Sequence, residues 1–110
     1  MSETRTVFEA LVAAVDRGRP VVLATIVRAK GSTPRGVGSK MVIDPGVGAV
    51  GTVGGGCGEA QVLEEAALAL NEGRPRVVRV DLTEDLFTWS PAVCGGIFDV
   101  LLEPLPADAR

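Results

Sequence analysis

Two cysteines, each set beside glycines, are where the reactive groups of this chain concentrate. Cys57 falls in the run Gly51-Thr52-Val53-Gly54-Gly55-Gly56-Cys57-Gly58-Glu59, and Cys94 opens Cys94-Gly95-Gly96. Glycine permits dihedrals that other residues avoid and leaves no side chain between backbone and ligand. The chain has no histidine and no tyrosine. Its chemistry must come from thiols, carboxylates, hydroxyls, guanidiniums and backbone dipoles.

The apolar spacing places Gly54, Gly55 and Gly56 just before a helix. Free N–H groups at a helix start favour a phosphate, a carboxylate or another anion. The same run also reads as a tight strand-to-helix turn that needs close packing. It is neither a dinucleotide fingerprint nor a phosphate loop, since no Gly-Lys-Ser/Thr follows. A helix start favours the thiolate of Cys57. Glu59 opposes this, because its carboxylate competes for the same N–H groups. Glu59 either caps the helix or accepts hydrogen bonds from a ligand amine. Cys94 reads as a buried structural thiol or as a thiol that accepts and presents sulfur. A zinc site built on the two cysteines lacks any histidine to complete it.

A third segment, residues 29–38, carries Lys30, Ser32, Thr33 and Arg35, with Ser39 and Lys40 just beyond. Arg35 offers a planar fork suited to phosphate or carboxylate. Pro34 restrains Thr33. A solvated turn is the plain alternative. All three segments lack large apolar residues and adjoin strand ends, so they could face one cleft.

The elements that must position these residues follow from periodicity. Thr6 and Glu9 read as a capping box for a helix over 7–17, with an apolar stripe of Val7, Phe8, Leu11, Val12 and Val15. Gly18 and Pro20 end it. Residues 21–27 are apolar on both faces, which suits a central strand. Residues 40–43 and 49–53 form a hairpin around Asp44-Pro45-Gly46. From Gly58 the period turns helical, with Ala60, Leu63, Ala67 and Leu70 on one face, widened by Val62 and Ala66. Asn71 and Gly73 end this helix. Residues 76–80 form a short strand. On a last strand Phe98, Val100 and Leu102 point one way and Asp99, Leu101 and Glu103 the other, with Pro104 and Pro106 as terminators. The expectation is a single compact α/β domain over residues 1–110, its core about 7–105. It has two main helices, a mixed sheet and the order α-β-β-β-α-β-β.

The net charge is −3 with both signs interspersed, which argues against a nucleic-acid binder. No apolar run reaches the roughly 18 residues that span a bilayer. The N-terminal residues do not read as a signal peptide, so reduced thiols in a cytoplasmic setting are expected. With 46% hydrophobic but only 4% aromatic residues, the core rests on aliphatic side chains. Small domains bury a lower fraction of their surface, so a homodimer is one expectation.

Three blocks, in order, resemble the N-terminal domain of the XdhC/CoxI family, accessory proteins of molybdenum hydroxylases such as xanthine dehydrogenase and carbon monoxide dehydrogenase. They are Gly31-Ser32-Thr33-Pro34-Arg35 with Gly38, then Gly51 to Cys57 with Glu59, and Cys94-Gly95-Gly96 with the tail Val100-Leu101-Leu102-Glu103-Pro104-Leu105. The resemblance implies binding of the molybdenum cofactor (molybdopterin), a pterin with a dithiolene and a phosphate. It implies protection of that cofactor while a cysteine desulfurase supplies sulfur, then insertion into a molybdenum hydroxylase apoenzyme. By the same resemblance Ser32, Thr33, Arg35, Gly54, Gly55, Gly56, Cys57, Glu59, Cys94, Gly95 and Gly96 would contact the cofactor, with Cys57 or Cys94 near molybdenum; Lys40, by its own charge, joins Arg35 as a phosphate partner. The implied role is a non-catalytic accessory rather than an enzyme. Many relatives carry a further Rossmann-like domain; its absence here implies either a separately encoded partner domain or a short form that binds and hands over the cofactor without one. Two other classes stay open: a cysteine-dependent sulfur-transfer protein, and an interaction module of the assembly machinery.

Overall fold

The apolar run that begins at Val21 takes the centre of a five-stranded sheet. The computed structural model describes residues 3–33, 35–45, 48–53, 58–83 and 96–106. In chain order the elements are α1 (Glu3–Asp16), β1 (Val21–Lys30), β2 (Lys40–Asp44), β3 (Gly48–Gly51), α2 (Glu59–Glu72), β4 (Arg76–Asp81) and β5 (Ile97–Leu105). The strand order is β3-β2-β1-β5-β4, so β1 is the middle strand, as its two apolar faces require. The element order and the α/β class are those expected from sequence.

The sheet is not mixed: every neighbouring pair is antiparallel. The chain does make one crossover, through α2, and β3 and β4 run in the same direction. They occupy opposite edges of the sheet, so no parallel pair forms.

One face is covered by α2. There Val22, Ala24, Ile26, Met41, Val78, Val80, Phe98, Val100 and Leu102 pack with Val62, Ala66 and Ala69 of the helix. Phe98, Val100 and Leu102 are fully buried, each contributing about 1.5–3 kcal/mol by leaving water. The other face is covered only in part, where Val7 and Ala14 of α1 meet Val21 and Val42, flanked by Leu11, Leu23 and Leu105. Among the described residues nothing beyond α1 covers this face, and Val77 is 63% exposed.

Four local expectations are corrected. Helix α1 starts at Glu3, so Thr6 lies inside it, and Glu9 pairs with Arg5 at 3.0 Å rather than closing a capping box. Its stripe is split: Val7 is buried, whereas Phe8 and Val12 are exposed. Helix α2 buries Val62, Ala66 and Ala69, while Leu63 is 42% exposed. Small side chains bring this helix close to the sheet, which rotates the larger Leu63 outward. Lastly, Pro104 does not end β5. The β4 ladder stops at Leu102, so Pro104 has a neighbour on one side only and its missing N–H costs no bond there.

Candidate functional site

The antiparallel ladder gathers the three sequence blocks at one end of the sheet. β2 begins at Lys40, opposite Thr25, while β1 runs on past it to Lys30. Gly51 at the end of β3 lies opposite Met41. Ile97 at the start of β5 lies opposite both Lys30 and Asp81. The segments 31–39, 52–58 and 82–96 therefore all leave from the same end. Pro34, Gly54, Gly55, Gly56, Cys57, Cys94 and Gly95 lie outside the described residues. Helix α2 begins two positions after Cys57 in sequence, as expected.

Gly96 joins the third block to the first. A Cβ placed there would meet Ser32 O at 2.5 Å, Thr33 Cγ2 at 2.7 Å and Lys30 O at 2.8 Å. Only glycine allows this approach, across 64 positions of sequence between Ser32 and Gly96. The Gly96 carbonyl also accepts a hydrogen bond from Leu82 N–H at 2.9 Å, tying in the end of β4. Within the first block the Thr33 hydroxyl donates to Arg35 O at 3.0 Å, which shapes the loop. Ser32 and Arg35 are exposed and Thr33 is half-buried.

Gly58 anchors the start of α2. Its φ is +73°, and a Cβ there would lie 2.5 Å from Val80 Cγ1. Glu59 does not cap the helix with its side chain. Its carboxylate accepts a hydrogen bond from the Thr52 hydroxyl, linking the end of β3 to the first turn of α2. Lys40 is half-buried, with Nζ 3.4 Å from Thr25 Oγ1.

The sequence reading missed a group on the open face of the sheet. Arg28, Lys30, Arg79, Ile97 and Asp99 line a depression of about 270 Å³. Asp99 is buried and accepts from Arg79 Nε at 3.1 Å. This hydrogen bond and the accompanying attraction hold the Arg79 guanidinium above its ordinary pKa. At the rim, the Thr83 hydroxyl and backbone N–H hold the Asp81 carboxyl below its ordinary value. The available signal was the alternation along residues 97–103, which puts Asp99 opposite the core. Only the strand order sets Arg28 and Arg79 beside it. Among the described residues no three His, Cys, Asp or Glu side chains gather as metal ligands. No described helix is long and apolar enough to cross a membrane.

The chain is similar to known proteins over this same region. It is 36% identical over 75 residues to the molybdenum cofactor insertion chaperone PaoD of Escherichia coli, covering 68% of this chain and 24% of that one. It is 35% identical over 83 residues to the uncharacterized protein YqeB of the same organism, covering 76% of this chain and 15% of that one. The chain thus spans a quarter or less of the length of these relatives. A crystal structure described as a xanthine dehydrogenase from Bacillus halodurans superposes with a TM-score of 0.78 at 34% identity, covering 100% of this chain and 32% of that one. The XdhC and CoxI family model matches residues 14–81, which take in the first two blocks and the strands that carry them, and the chain belongs to that family.

Proposed function

We propose that this domain binds the molybdenum cofactor at the end of the sheet where the three loops leave, and holds it for insertion into a molybdenum hydroxylase. The observation that carries the reading is the convergence of the blocks: Gly96 packs on Ser32 and Thr33, while Thr52 and Glu59 tie the glycine-rich segment to the adjoining corner. The similarity to a molybdenum cofactor insertion chaperone supports it.

The donor set suits a pterin that carries a phosphate. The exposed Arg35 fork and the Lys40 ammonium match an anionic group. The Ser32 hydroxyl and the Glu59 carboxylate match the donors and acceptors of a pterin ring. In this reading Cys57 and Cys94, with Gly54, Gly55, Gly56 and Gly95, complete the contact, and Cys57 or Cys94 is the thiol near the metal. The cofactor supplies the redox-active molybdenum to the recipient enzyme; this chain binds, orients and shields it. Sulfuration by a cysteine desulfurase, a cytoplasmic setting and pairing with a second copy or a Rossmann-like domain belong to the same proposal.

The test is anaerobic mixing of the protein with released cofactor, then gel filtration with molybdenum and pterin assays. Co-elution at micromolar concentration is expected. Cofactor that elutes away from the protein would overturn the reading.

A further inference from the structure

We propose that Arg28, Lys30 and Arg79 form an oxyanion site for a phosphate monoester on the open face of the sheet. The site deepens the cofactor reading and rests on it only for which molecule carries the phosphate.

The registers place Asp99 opposite Arg28 on one side and opposite Arg79 on the other. The next row holds Lys30, Ile97 and Asp81. Residues opposed in an antiparallel pair share a face, so three cations crowd one corner of the sheet. Two carboxylates offset them in part. Asp99 is engaged by Arg79, and Asp81 accepts from the Thr83 backbone N–H at 2.9 Å. Arg28 and Lys30 have no hydrogen-bond or ion-pair partner among the described residues. Their charges are therefore available at the wall of the depression. The chain as a whole carries −3, so this cluster does not simply follow from a basic surface.

The shape narrows the ligand. About 270 Å³ lies below the roughly 300–1,000 Å³ of pockets that enclose a drug-sized molecule. A phosphate and its ester oxygen fit; a whole pterin cofactor does not. Guanidinium forks match phosphate oxygens in pairs, and Ile97 gives the ester carbon an apolar wall. Lys30 directly precedes Gly31 and the Ser32–Thr33 turn. A phosphate held here would thus leave the rest of its molecule beside the loops. Lys40 lies on the same face opposite Thr25, farther back along β1 than Arg28 and Lys30.

The experiment has two arms. In the first, inorganic phosphate is titrated into the full chain at constant ionic strength, with amide NMR as readout. Saturable shifts at Arg28, Lys30, Arg79 and Ile97 are expected. In R28Q/K30Q the affinity should fall about a hundredfold, since each of the two lost charge-assisted bonds is worth roughly a factor of ten. Both side chains are exposed, and the dispersion of the variant's spectrum reports its fold. No saturable shift, or shifts confined to Arg35 and Lys40, would overturn the site. In the second arm, released molybdenum cofactor is mixed anaerobically with wild type and R28Q/K30Q. Weaker retention by the variant supports the cofactor phosphate as occupant. Equal retention by both overturns that assignment. If wild type retains no cofactor, the proposed function fails, while the titration still decides the phosphate site.

Discussion

Substituting Gly96 by alanine tests the contact that joins the first and third blocks. The added methyl would sit 2.5 Å from Ser32 O and 2.8 Å from Lys30 O, both backbone atoms. Ordinary carbon–oxygen contact begins near 3.4 Å, so the overlap approaches an ångström and cannot be relieved by turning a side chain. Either the Ser32–Thr33 turn or the start of β5 must move, and the hydrogen bond from Leu82 N–H to Gly96 O weakens with it. Overpacking of this kind costs about 1–3 kcal/mol. For a domain of this size that lowers Tm by roughly 4–12 °C. Gly36 supplies the control, since a Cβ there meets nothing within 4 Å. Gly36→Ala should leave Tm unchanged or raise it slightly, through the unfolded chain. Thermal melts followed by circular dichroism, with amide NMR at Ser32 and Thr33, give the readout. A Gly96→Ala melt within one degree or so of wild type, with unshifted Ser32 and Thr33 amides, would refute the packing argument. Equal losses in both variants would refute it as well.

Gly58→Ala should cost more than a simple clash, because φ is +73° and Val80 Cγ1 stands in the way; a loss of about 2–4 kcal/mol in urea unfolding is expected, and a loss below half a kcal/mol would contradict it. Thr52→Val removes the hydroxyl that donates to Glu59 and should destabilise by about 1–2 kcal/mol, with faster amide exchange in the first turn of α2; unchanged exchange there would count against the link. Asp81 is held below its ordinary pKa by Thr83, so its favourable contribution is complete above the unfolded value near 3.9. That contribution is lost as pH falls through the lower folded value. Thr83→Ala should move the Asp81 carboxyl upward toward the ordinary value in a carboxyl NMR titration, and no upward movement would show that the Thr83 hydroxyl is not the cause.

Much of this protein is written locally. The period-2 pattern of residues 97–103, with Phe98, Val100 and Leu102 on one face and the mixed row Ile97, Asp99, Leu101 and Glu103 on the other, makes a strand whatever lies beside it. The two apolar faces of residues 21–27 demand a central position, and the sheet provides it. Gly18 and Gly73 end their helices for reasons internal to the chain, each with positive φ. The three blocks could also be singled out by composition, since runs of glycine and short polar residues cannot make a core. What local pattern does not contain is distance along the chain turned into adjacency. The face that α2 buries depends on how closely Val62, Ala66 and Ala69 fit the sheet, so the larger Leu63 misled. The antiparallel pairing depends on β3 and β4 being sent to opposite edges. Arg28, Asp99 and Arg79 lie far apart in sequence, and each reads alone as an ordinary charged position on a strand. Only the strand order β1-β5-β4 sets them side by side, because hydrogen-bond registers between distant strands, not spacing within one, decide which charges meet.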